Sequence, residues 1–70
     1  MSISERFAAN LAAQRKRVGI SQEELASLAG LHRTQISLLE TGKREPRLET
    51  MVKLAGALGI PVAILVDGIR

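Results

Sequence analysis

Between Gln22 and Arg47 the chain gathers side chains suited to binding a polyanion and reading its surface: Gln22, His32-Arg33-Thr34-Gln35, Ser37, Lys43-Arg44 and Arg47. An arginine fork fits guanine O6 and N7 with two bonds, and a threonine offers a thymine its hydroxyl or its methyl. The chemistry these types support is recognition rather than catalysis. No Ser, Thr or Lys has a general base beside it at a defensible spacing. His32 is the single histidine, cysteine is absent, and no carboxylate stands at ligand spacing, so neither a metal site nor a cofactor is expected. The plainer reading of the same residues is a pair of solvated helix starts and a solvated basic loop.

Two short helices and a tight turn must position these groups. Ser21 and Glu24 form a Ser-x-x-Glu capping box that opens the second of five expected helices, with Leu25, Ala26 and Ala29 inward and Gly30 as its stop. The third helix begins at His32 or Arg33 and ends near Thr41. Ile36 and Leu39 face inward, Leu31 plugs the turn, and Arg33, Thr34, Ser37 and Leu38 face outward. The connection Gly30 to His32 has helix-turn-helix spacing, over about residues 21–40. Before it, Ser4 caps a first helix that runs to about Arg17 on an apolar stripe of Ile3, Phe7, Leu11 and Val18. After the basic loop from Gly42 to Arg47 comes a fourth helix, Leu48 to Leu58, and then a short fifth, Pro61 to Val66, with Pro61 at its first position. No strand, repeat or low-complexity linker is visible. The expected fold is all-α: one compact five-helix bundle over residues 1–70.

Composition narrows the function. Ten Lys and Arg against seven Asp and Glu give a net charge of +3, which favours polyanionic partners. Phe7 is the only aromatic residue, so the core must come from Leu, Ile, Val and Ala. A chain this short buries only about 60–65% of its unfolded surface. Its longest apolar run, Ile60 to Val66, falls far below the ~20 residues of a membrane span, and the polar start has no signal-peptide core. Together with the lack of cysteine, this gives a cytoplasmic expectation, with no membrane and no small-molecule ligand. The small helical core leaves little room for a pocket.

The set Arg15, Gly19-Ile20-Ser21-Gln22, Leu25-Ala26, Gly30-Leu31, Ile36-Ser37, Glu40, Gly42 and Pro46, continued by Leu54 and Leu58-Gly59-Ile60, resembles the helix-turn-helix family of the lambdoid phage repressors and Cro proteins, also called the xenobiotic-response-element type. The likeness runs from about Phe7 to Gly68 without a gap. His32-Arg33-Thr34 ahead of Ile36-Ser37 is also similar to the controller proteins of restriction–modification systems.

The resemblance implies a homodimer on a pseudo-palindromic operator in double-stranded DNA, with the third helix in the major groove. It assigns base edges to Arg33, Thr34, Ser37 and Leu38. Leu38 stands where several phage repressors carry a polar reader, so a thymine methyl or simple packing are its alternatives. Phosphates fall to Gln22, His32, Lys43 and Arg44, with Gln35 pointing to the side and as able to bond the backbone. His32 replaces the usual Ser or Thr cap, at a cost of about 1 kcal/mol. Arg47 matches an arginine that some phage repressors send into a narrowed minor groove. Arg15 and Glu40 correspond to an ion pair between the first helix and the end of the third. Leu48, Ile60, Ile64, Val66 and Ile69 crowd the C-terminal third, where the family dimerises; a fully internal core is the other reading.

The sequence therefore implies a sequence-specific DNA-binding regulator that represses by occupying an operator. A restriction–modification controller, able to activate as well as repress, and an antitoxin are alternatives on the same fold. A protein-interaction module without DNA binding is the rival of another class, argued against by Arg33, Lys43, Arg44 and Arg47. The abrupt end at Gly68-Ile69-Arg70 leaves room for the chain to be the N-terminal part of a larger regulator.

Overall fold

The computed structural model describes residues 1–70 and contains five helices and no strand: α1 Ile3–Val18, α2 Gln22–Ala29, α3 Arg33–Glu40, α4 Leu48–Leu58 and α5 Val62–Leu65. None of them is long and apolar enough to cross a membrane. α1 packs against α3, α4 and α5, and α2 against α3 and α4. Between them lies a cluster of 11 buried residues, from Phe7 and Leu11 on α1 to Leu65 on α5, all of them hydrophobic. Phe7, Leu11, Leu25, Ile36, Leu54 and Leu65 are the largest wholly enclosed side chains. Each contributes roughly 1.5–3 kcal/mol through removal from water.

Capping explains where α1 and α2 begin. Ser2, not Ser4, caps α1: its Oγ accepts from the Glu5 amide at 3.1 Å, and Glu5 Oε1 accepts from the Ser2 amide at 3.0 Å. Ser4 cannot form this reciprocal pair, because the residue three places on is Phe7. Ser21 and Glu24 close the same box on α2, at 3.0 and 2.9 Å. Bonds from the serine backbone and hydroxyl hold both glutamates below the ordinary carboxylate range. That capping contribution is present above the usual glutamate pKa and fades as the pH falls through the lowered one.

The apolar stripe of α1 is shorter than the sequence pattern implies. Phe7, Ala8 and Leu11 are buried, whereas Ile3 and Val18 are 58% and 42% exposed. Both lie at helix ends, where the other helices cover the side chain only in part. α5 is also shorter than expected: Pro61 is its N-cap rather than its first residue, and Val66 is its C-cap.

The α2–α3 turn depends on Gly30, whose φ is +71°. The Leu31 amide bonds Ala26 O at 2.8 Å and the Gly30 amide bonds Ser27 O at 3.3 Å, which is a Schellman closure. It swings Leu31 onto the core. A Cβ at Gly30 would meet nothing within 4 Å, so a substitution there is penalised by backbone conformation alone. Gly30→Ala should therefore cost about 1–2 kcal/mol in chemical denaturation, and Gly30→Asn less. A neutral Gly30→Ala would contradict the conformational requirement.

Candidate nucleic-acid interface

The N-terminal turn of α3 presents Arg33 and Thr34 to solvent; Ser37 and Leu38, one turn later, are half-buried. On the opposite side Ile36 and Leu39 sink into the core. The loop from Gly42 to Arg47 follows, with Lys43, Arg44 and Arg47 exposed. Glu45 is the acid among them. The loop's own backbone is partly committed, since the Lys43 amide bonds Leu38 O at 3.0 Å and the Gly42 amide bonds Leu39 O at 3.3 Å. The Lys43 amide is thus taken up within the chain, and its side chain is what remains free.

His32 occupies the N-cap of α3 and makes no side-chain cap bond. Gln35 supplies the other half of a box: its Oε1 accepts from the His32 amide at 2.9 Å. The bond has a consequence for recognition. Gln35 cannot give both carboxamide atoms to an adenine edge without first releasing the helix start. A glutamine three places after the cap position is a readable signal, hidden here because the cap residue is a histidine. The amides of Arg33 and Thr34 carry no intramolecular bond, and neither do those of Gln22 and Glu23 at the start of α2.

Arg15 and Glu40 meet under this surface. Arg15 Nε reaches Glu40 Oε2 at 2.7 Å and its Nη2 reaches Oε1 at 2.9 Å, a two-bond fork. Arg15 Nη1 also donates to Ile20 O at 2.9 Å. The two side chains are only 14% and 6% exposed. The Glu40 carboxylate holds the Arg15 pKa above its ordinary value, chiefly through the hydrogen bonds. Gln22 Nε2 joins the group, donating to Glu40 Oε1 at 3.2 Å. One cluster thereby binds the end of α1, the first residue of α2 and the last residue of α3. The link to Gln22 carries no sequence signal, because the two residues lie eighteen positions apart on different helices.

The apolar residues of the C-terminal third divide into two groups. Leu48 and Ile64 are 67% and 39% exposed, and Val52, one turn beyond Leu48, is 54% exposed. Ile60 and Ile69 instead lean on the protein's own core, and Val66 is half-buried. Of the five residues expected at an interface only Leu48 and Ile64 are open, and Val52 is the one further open large apolar residue of the C-terminal third.

Comparison with known proteins places this architecture. A family model described as helix-turn-helix matches residues 11–65. The control protein C.SmaI of Serratia marcescens is 42% identical over 62 residues, which is 89% of this chain and 74% of that protein. The crystal structure of the restriction-modification controller protein C.AhdI from Aeromonas hydrophila superposes with a TM-score of 0.87 at 39% identity, covering 89% of this chain and 94% of that one. The clp gene regulator ClgR from C. glutamicum gives a TM-score of 0.88 at 29% identity, over 93% and 84% of the two chains.

Proposed function

The chain belongs to the helix-turn-helix family, and on that premise we propose that it is a sequence-specific DNA-binding transcription regulator acting as a homodimer on a pseudo-palindromic operator. The observation that carries this reading is the outward side of α3, exposed Arg33 and Thr34 followed by half-buried Ser37 and Leu38, on a helix braced from beneath by Arg15 and Glu40, with Lys43, Arg44 and Arg47 beside it. Arg33 and Thr34 read base edges at the start of α3; Ser37 and Leu38 meet the next step of the groove. Lys43, Arg44 and the remaining donor of Gln22 hold phosphates, as does the free NH2 of Gln35, and His32 joins them through a ring N–H. The unpaired amides at the two helix starts point the same dipole toward the backbone. Arg47 reaches the minor groove between half-sites. The open residues Leu48, Val52 and Ile64 pair the two copies and set their reading helices about 34 Å apart, one duplex turn.

Within this reading, control of a restriction–modification system is favoured by the 42% identity to C.SmaI and by the match to C.AhdI. Occupation of an operator by such a dimer represses a promoter it overlaps. The protein acts in the cytoplasm.

The test begins with duplexes selected from a random pool by the wild-type protein. Binding should fall with salt at a log–log slope of about −5 to −7 for three to four phosphates per subunit. Arg33→Ala should change preference at one base step by about 1–3 kcal/mol, whereas Lys43→Ala should weaken every duplex alike and flatten the salt slope by about 1 per subunit. A flat salt response, or equal losses on all duplexes for both variants, would contradict these roles.

A further inference from the structure

α5 is a single turn, Val62–Leu65, too short to hold its own far end. α1 holds it instead. Asn10 Nδ2 donates to Leu65 O at 3.0 Å and to Asp67 O at 2.8 Å, one carboxamide bridging two carbonyls. Arg6 Nε adds a bond to Asp67 O at 3.2 Å. Gly68, at φ +79°, rests so closely on the Arg6 guanidinium that a Cβ there would collide with it. Ile64, the residue before the first of these held carbonyls, is 39% exposed, while Leu65 beside it is wholly buried. Asn10 and Ile64 also share the walls of a cleft of about 520 Å³ between α1 and α5, with Ala13, Gln14, Ala63 and Asp67.

We propose that Asn10 is a positioning residue for self-association: by holding the Leu65 and Asp67 carbonyls it fixes the direction in which α5 presents Ile64. This inference rests on the homodimer reading above. Asn10 bonds neither α3 nor the basic loop. Its effect on DNA therefore comes through pairing of the two copies and leaves a single half-site untouched. Asparagine suits the task because its NH2 carries two donors on a short stem. Aspartate has the same shape and would set a carboxylate against two carbonyl oxygens.

The experiment uses the whole chain and Asn10→Asp, with self-association followed by sedimentation equilibrium. Binding is measured by anisotropy on the pool-selected duplex, both whole and cut to one half-site. We expect self-association to weaken about tenfold or more, the affinity for the whole site to fall with it, and the affinity for the half-site to stay at the wild-type value. Self-association equal to wild type, or equal losses on the whole and half sites, would overturn the proposal by reducing the clamp to a stability element. Should Asn10→Asp fail to fold, Asn10→Ala and Ile64→Ala are combined. Losses of self-association that are less than additive support the coupling, and strictly additive ones overturn it. A wild-type chain that remains monomeric sinks the homodimer reading itself, a result distinct from wild type and variant pairing equally well.

Discussion

Replacing Glu40 by alanine is expected to lower the unfolding free energy by about 3–5 kcal/mol, measured by urea denaturation followed by circular dichroism. The cost comes from what is left behind. Arg15 is only 14% exposed, and it would keep a guanidinium beneath α2 and α3 with its Nε and Nη2 donors unpaired. Gln22 would lose its partner in the same step. A chain of this size has roughly 4–10 kcal/mol of stability to lose. The variant should therefore be mostly unfolded at modest urea and bind DNA weakly for that reason. The double replacement Arg15→Met with Glu40→Leu separates charge from packing. It should recover much of the loss, because an apolar pair in a largely buried site orphans no charge. DNA affinity should recover less than stability does, since Gln22 is no longer steered by a carboxylate. A loss below about 1 kcal/mol for Glu40→Ala would mean that the pair behaves like an exposed one.

The pair also shows which parts of this molecule its sequence makes legible. Features governed by spacing within one helix are readable. The Ser21–Glu24 box opens α2, the apolar rhythm gives α4 as Leu48–Leu58, and Leu25, Ala26, Ala29, Ile36 and Leu39 are buried because their periodicity requires it. The placing of Arg33 and Thr34 on the open side of α3 follows from the same rhythm. Features that depend on tertiary neighbours are not readable. Ile3 and Val18 keep the period of α1 but sit at its ends, where the packing against it leaves them largely open. Ile60 and Ile69 have the types expected of an interface, yet they close the protein's own core. Asn10 binds residues fifty-five and fifty-seven positions away, and its one local trace is a poor helix former in the middle of α1. Gln35 illustrates the intermediate case: the spacing was local, but an unusual partner at the cap hid it.

Phe7→Ala should have a comparable effect from the other end of the fold, a loss of about 3–5 kcal/mol. Phe7 is the only aromatic side chain, is 1% exposed, and sits in the cluster that joins α1 to the rest. It also walls a cleft of about 200 Å³ with Ile3, Glu45, Pro46, Met51, Val66 and Ile69. Truncation would enlarge that cleft, and the small helices around it have little freedom to collapse inward. Since Glu45 and Pro46 belong to the loop that carries Lys43, Arg44 and Arg47, the damage would extend to the binding surface. The milder Phe7→Leu keeps most of the volume and should retain the fold while weakening DNA binding through a loosened loop. Binding and folding are linked, so duplex at a hundred times its dissociation constant should return about 2.7 kcal/mol to Phe7→Ala and raise its melting midpoint. The decisive observation is a pair of thermal melts, with and without duplex. A Phe7→Ala chain that is folded and unmoved by DNA would show that Phe7 supports neither the core nor the reading surface.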